Sequence, residues 1–245
     1  MSLRRFLVPP GALEAGRELE LPPQEAAHAR KVLRLRPGQE VWLLDGRGRV
    51  ARAELLEVGR RRVAARVEEV DTPSPPRPRL VLCPGLLKPA AMDLLAQKLT
   101  ELQVDELRPF LAARSVAKAA GARLERWRRL AVQALKQCGA ARPPELAAPA
   151  PLTEILAAAP SSGLRLVLYE KEGARTLASL LAAAPQPDEI WALIGPEGGL
   201  EPAEVARARE AGFAICGLPG AVLRAETASL ALAAVVRFSR DWNQT

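Results

Sequence analysis

The chain of 245 residues has little of what most often does chemistry at neutral pH. It holds one histidine (His28), one tyrosine (Tyr169) and three cysteines, and aromatic residues make up 4%. Cys83, Cys138 and Cys216 are odd in number, widely spaced and part of no ligand pattern. That excludes a disulfide framework and a zinc site, and it reads as reduced core thiols. No ligand cluster calls for a metal. Neither G-x-x-x-x-G-K-S/T nor G-x-G-x-x-G occurs, so a P-loop and a dinucleotide fingerprint are both absent. The Ala/Leu-rich runs are cut by charges and prolines, and none approaches a membrane span. The start, MSLRRFLVPP, lacks the long apolar stretch of a signal peptide, and the reduced thiols suit a cytoplasmic protein. Acidic residues are the minority, 28 against 35 basic, giving a net charge of +7 and a pI near 9.9. Such a balance favours polyanionic partners, nucleic acid first.

What is present is a large apolar fraction, 49%, enough for one large domain or two smaller ones. Residues 1–70 read as a small β-rich domain. Helix formers at Gln24–Leu35 precede strands at Val41–Leu44, Arg49–Val58 and Arg62–Val70, with an Asp45-Gly46 turn. The proline-rich stretch at 71–79, DTPSPPRPR, reads as a linker. From residue 80 strands and helices alternate. Strands are expected at Leu80–Cys83, Glu106–Phe110, Arg165–Tyr169, Ile190–Ile194 and Phe213–Leu218. Helices are expected at Lys88–Val104, Leu124–Cys138, Ala174–Ala183, Glu201–Ala211 and Glu226–Trp242. In the first of these, Leu94, Leu95, Leu99 and Leu102 share a face suited to burial. This alternation predicts a mostly parallel sheet covered on both faces.

The chain is organised around Ile190–Gly199, IWALIGPEGG. An apolar run typical of a strand buried on both faces stops at a glycine-rich turn, and a helix opens at Pro202 with Glu204 in its first turn. Loops at the carboxyl ends of strands are where open α/β sheets bind ligands. By itself the turn is equally that of an ordinary strand–helix unit. Leu218-Pro219-Gly220-Ala221 ends the next strand, and Tyr169-Glu170 ends an earlier one. Three convergent loops favour a pocket.

GPEGGLEPAEVARAREAGF, followed by LPGAVLRAETASLALAAVV, resembles the SPOUT methyltransferases, specifically the bacterial 16S rRNA uracil-N3 methyltransferases. Arg5-Phe6, His28 with Val32-Leu33-Arg34, and Asp45-Gly46 resemble that family's PUA-like RNA-binding front domain. Lys88, Lys98 with Glu101-Leu102, and Gln137-Cys138-Gly139 with Arg142 and Pro144 resemble its middle. The chain departs from the family wording at Pro219-Gly220, at Ala221 and at Lys136. The resemblance implies an α/β fold: a SPOUT-type, trefoil-knotted, mostly parallel sheet domain at 80–245, preceded by a PUA-like β-barrel. It implies S-adenosylmethionine as cofactor, held by Tyr169, Leu193, Gly195, Glu197, Gly198, Leu218, Gly220, Leu223, Arg224 and Ala228. It also implies a homodimer acting on 16S rRNA of the 30S subunit.

Methylating uracil N3 requires loss of a proton, with charge spreading over O2 and O4. Arg224 is the candidate to stabilise that anion, and Glu226 to orient it or take part in removing the proton. A helix start would equally account for Glu226 and Thr227. Arg5, His28, Arg30, Lys31 and Arg34 are the candidate RNA contacts, although the basic set also fits an ordinary solvated face and a lone histidine more often packs. The rival readings are another SPOUT RNA methyltransferase, acting on a ribose hydroxyl or a tRNA base, and a non-catalytic RNA-binding assembly factor.

Overall fold

The computed structural model describes residues 4–115, 122–171, 175–184 and 186–238. By its contacts the chain divides into two compact units, 1–74 with 132–143, and 75–131 with 144–245. A boundary at 71–79 puts 132–143 in the second domain, whereas in the structure these residues group with the first.

In the first unit, strands β1 (Arg4–Leu7), β2 (Glu18–Glu20), β3 (Glu40–Leu44), β4 (Val50–Val58) and β5 (Val63–Asp71) form one sheet in the order β1-β3-β4-β5-β2. β1 runs parallel to β3 and the other pairs are antiparallel. Alternation along the strands buries Phe6, Val41, Leu43, Ala51, Leu55 and Val67 on one side. The Asp45 carboxylate closes the β3–β4 turn by accepting from the N–H groups of Arg47 and Arg49, at 2.7 and 3.0 Å. The expected helix at 24–35 is instead α1 (Pro23–Ala27) running into a wide turn at His28–Val32, where Leu33 N–H reaches His28 O at 3.0 Å. Arg34, at φ +51°, ends it before Pro37-Gly38. Leu44, Val50, Leu135 and Ala140 form a satellite core, and Lys136 pairs with Glu25 at 2.7 Å.

The second unit contains β6 (Arg79–Pro84), α2 (Pro89–Glu101), β7 (Glu106–Leu107), β8 (Phe110–Leu111), α3 (Ala122–Cys138, its last turns grouping with the first unit), β9 (Glu145–Leu146), β10 (Ala150–Pro151) and α4 (Leu152–Ala158). It continues with β11 (Leu164–Leu168), α5 (Leu177–Ala183), β12 (Glu189–Ile194), α6 (Pro202–Glu210), β13 (Ala214–Cys216) and α7 (Ala225–Phe238). Six strands form an all-parallel sheet in the order β13-β11-β12-β6-β7-β9, and β8 pairs with β10 separately. The single strand expected at 106–110 is thus two, separated at Pro109, which has no N–H to give a ladder. The expected helix start at Ala174 and helix end at Trp242 lie outside the described residues.

Because successive side chains leave a strand on opposite faces, the apolar strands feed two cores. Leu80, Leu82, Leu166, Ile190, Ala192 and Ile194 pack with α2, α5 and α7. Val81, Cys83, Val167, Trp191 and Leu193 pack with α4 and α6. Helix starts follow local chemistry. Pro89 and Pro202 occupy first-turn positions, Thr176 and Ser179 cap α5 reciprocally, and Glu201 and Glu204 do so for α6. Cys83 and Cys216 are buried as expected, whereas Cys138, at the end of α3, is exposed.

Candidate active site

At the carboxyl edge of the parallel sheet the loops after β6, β11, β12 and β13 surround a cavity of about 860 Å³. The loop after β12 is a tight turn, with Gly199 N–H donating to Pro196 O at 2.8 Å. Gly195 is packed so closely that a Cβ there would lie 3.1 Å from Leu200 Cγ and N. Gly199 needs positive φ (+72°), and its α-carbon side faces the Glu170 carboxylate. Gly220 also has positive φ (+107°) but open space around it. The Glu197 carboxylate accepts from Lys88 N–H at 3.0 Å, joining the β12 loop to the start of α2.

The cavity gathers Tyr169, Gly195, Glu197, Gly198, Leu218, Gly220, Leu223, Arg224, Glu226 and Ala228, all named from the sequence. Leu193 is not among them. It is 1% exposed and lies in the core under α4 and α6, while the next residue, Ile194, lines the cavity. One step along a strand reverses the face, which is the reason for the difference. Leu94, expected on the buried face of its helix, is 36% exposed and lines the cavity from α2. Lys88, Ala90 and Ala91 line it too. The sequence signal for them was available: Leu80–Cys83 reads as a strand, so the loop after it belongs at the same sheet edge.

Two cations, Lys88 and Arg224, and three carboxylates, Glu170, Glu197 and Glu226, stand around the cavity. Arg224 is exposed, and among the described residues neither Arg224 nor Glu226 has an ion-pair or hydrogen-bond partner for its side chain. The segment between Gly220 and Ala225 is open, with Val222 79% exposed. Such a site can enclose a mixed apolar and charged ligand and still offer one arginine to a second molecule. Among the described residues no group of three or more His, Cys, Asp or Glu side chains is arranged to hold a metal, and no helix is long and apolar enough to cross a membrane.

In the first unit the sequence-named basic residues separate into two groups. Lys31 and Arg34 are exposed and Arg30 is half-buried. Arg5 is engaged internally: its Nη1 donates to Gln137 O at 3.2 Å, and its guanidinium packs on Gly139, where a Cβ would come within 2.6 Å. A cation at the last carbonyls of α3 complements the helix dipole there. His28 meets Phe6 edge to face, with ring centres 6.4 Å apart.

The fold and site are those of an RNA methyltransferase. A family model described as an RNA methyltransferase domain matches residues 74–237, and one described as an RNA methyltransferase PUA domain matches 21–68. The Ribosomal RNA small subunit methyltransferase E of Mycobacterium bovis is 34% identical over 228 residues, covering 89% of this chain and 86% of its own length. That of Bacillus subtilis is 30% identical over 222 residues, covering 86% and 87%. The crystal structure of the Neisseria gonorrhoeae enzyme of the same name, bound to S-adenosyl methionine, has a TM-score of 0.84 at 30% identity, covering 96% of this chain and 97% of that one. The chain belongs to the ribosomal RNA small subunit methyltransferase E family.

Proposed function

We propose that this chain transfers a methyl group from S-adenosylmethionine to N3 of a uridine in the 16S rRNA of the small ribosomal subunit. The observation that carries this reading is Arg224. It stands without a side-chain partner among the described residues, at a cavity built from four sheet-edge loops, in a chain of this family.

The cavity fits the cofactor. Its volume lies within the range of small-molecule sites. Leu94, Ile194 and Leu218 offer apolar surface for an adenine ring, the glycine turn offers backbone groups, and the carboxylates suit a ligand with a sulfonium and an ammonium group. The residues assigned to hold it are Tyr169, Gly195, Glu197, Gly198, Leu218, Gly220, Leu223, Arg224 and Ala228, with Ile194 in place of Leu193. Bound there, S-adenosylmethionine supplies a methyl group already activated on sulfur, so the protein mainly has to position the reactants.

The chain's own residues then deal with the base. Arg224 stabilises the negative charge that develops on the uracil oxygens as N3 loses its proton, a preorganised donor aimed at developing charge. Glu226, two residues on and also at the cavity, takes the N3 proton or comes to orient Arg224 once the base is bound. The first unit binds rRNA through Arg30, Lys31 and Arg34, while Arg5 is engaged by Gln137 near the end of α3 and His28 by Phe6. The protein acts in the cytoplasm as a homodimer, and its second unit carries the trefoil knot of the SPOUT fold.

Arg224→Ala separates the roles. On purified small subunits it should lower kcat by roughly 10²–10³-fold, the range for loss of one anion-stabilising donor. The Kd for S-adenosylmethionine should change far less. Normal turnover in the variant would refute the role given to Arg224.

A further inference from the structure

Glu204 reads from the sequence as an acid in the first turn of a helix, where it needs no other reason. In the structure it is 3% exposed, and both its oxygens are engaged. Oε2 accepts from Glu201 N–H at 2.9 Å, within the start of α6. Oε1 accepts from Ala113 N–H, also at 2.9 Å, on a segment 91 residues earlier in the chain. A carboxylate taken out of water is costly unless such donors satisfy it, so this contact is specific in position and in charge.

The segment it holds is a tight turn, Ala112–Ser115. Ser115 N–H donates to Ala112 O at 3.0 Å, and Ser115 Oγ accepts from Ala112 N–H at 3.2 Å. From this turn Arg114 reaches over the glycine loop of the cavity. Its Nη1 donates to Gly198 O at 3.2 Å, and its Nε lies 3.7 Å from Glu201 Oε1. A Cβ on Gly198 would come within 3.0 Å of Arg114 Cβ, so Gly198 is also where the two backbones approach. The other end of the same peptide, Gly199 N–H, is bonded to Pro196 O. A planar peptide pinned at its oxygen and at its N–H has a fixed orientation. Neither Glu204 nor Arg114 lines the cavity.

We propose that Glu204 and Arg114 are positioning residues that set the shape of the cofactor-binding turn from outside the cavity, Glu204 by anchoring the 112–115 turn and Arg114 by holding the Gly198–Gly199 peptide. This rests on the assignment of that turn to S-adenosylmethionine. The clamp acts on cofactor affinity and leaves RNA binding alone.

The test uses the full chain, with calorimetry for S-adenosylmethionine, steady-state methylation of small subunits and thermal melting. Arg114→Ala should raise the cofactor Kd roughly tenfold, as expected for losing a hydrogen bond from a charged donor. At saturating cofactor, kcat, the KM for the RNA substrate and its salt dependence should stay at wild-type values. Arg114→Lys should restore part of the affinity. Glu204→Gln, which keeps one acceptor oxygen, should weaken cofactor binding less than Glu204→Ala. If Glu204→Ala does not fold, Arg114→Ala still decides, because that side chain is 47% exposed and its loss leaves the core intact. An unchanged cofactor Kd in Arg114→Ala overturns the proposal. So does an effect confined to the RNA KM with a shallower salt dependence, which would mark Arg114 as a phosphate contact. Wild-type protein that binds no S-adenosylmethionine overturns the functional reading itself, and the clamp with it.

Discussion

Gly85 stands outside the cavity, yet one methyl group added there should disable it. The residue follows β6, and its N–H donates to Ile194 O at 2.7 Å. A Cβ at this position would lie 2.5 Å from Cδ and 2.7 Å from N of Pro196, in the glycine turn. One of those atoms is backbone and the other belongs to a rigid ring, so neither swings aside. Ordinary contact begins near 3.4 Å, so in a close-packed interior Pro196 has to retreat by about 0.9 Å. A misplacement of about 1 Å costs roughly a hundredfold in a positioned reaction. Overpacking of this kind costs about 1–3 kcal/mol, and in a chain of this size each kcal/mol moves Tm by about 2–4 °C. Gly85→Ala should therefore melt several degrees lower, bind S-adenosylmethionine at least about tenfold more weakly and turn over roughly a hundredfold more slowly. Calorimetry, melting curves and methylation of small subunits read all three. Gly220→Ala provides the contrast: its φ of +107° makes the substitution strained, but nothing lies within 4 Å to be displaced. Gly85→Ala protein with wild-type Kd and Tm would refute the claim that the approach of β6 to the turn shapes the site.

Leu193 and Ile194 are adjacent and both buried, so truncating either to alanine should cost about 2–5 kcal/mol of stability. Only Ile194→Ala should also weaken cofactor binding, since Leu193 faces the other core; denaturant titration with calorimetry checks both halves. Burial pushes the Cys83 thiol well above its ordinary range, with a further push from Glu106. Iodoacetamide at pH 8 should thus modify the exposed Cys138 in the native protein and reach Cys83 and Cys216 only after unfolding, as peptide mass mapping would read. Arg237 is 5% exposed and donates to Pro78 O at 2.5 Å, Gln103 O at 3.0 Å and Asp105 Oδ2 at 2.5 Å. Arg237→Ala leaves the mostly buried Asp105 carboxylate without this partner, so the protein should lose about 3–5 kcal/mol. Its Tm should fall by roughly 10 °C, measured by scanning calorimetry.

The course of the second unit was legible because its signals are local. A continuous apolar strand, a glycine stop and a proline-led helix recur in register with the sheet. That rhythm also brings the loops after β11, β12 and β13 to one edge. What the rhythm lacks is a face. Ile190–Ile194 is apolar at every position, as a strand covered on both sides must be, so nothing in it distinguishes Leu193 from Ile194. The wide turn at His28–Val32 has no compositional mark, and β1 escaped because RRFL is short and half arginine. Arg5 shows what charge alone leaves out: it reads as part of a basic set, and its guanidinium also donates to the Gln137 carbonyl near the end of α3. Glu204 shows the converse, since a sufficient local reason for an acid at a helix start concealed a bond to a residue 91 positions away. The cofactor came from the resemblance of whole motifs, because a glycine turn without a nucleotide fingerprint does not name its ligand.

Methyl transfer from labelled S-adenosylmethionine to purified small ribosomal subunits lacking this modification, with the product nucleoside identified by mass, tests the central claim most directly. The account predicts 3-methyluridine in 16S rRNA, formed by the wild-type chain and nearly abolished in Arg224→Ala. A different methylated nucleoside, or no transfer together with no cofactor binding, would contradict it.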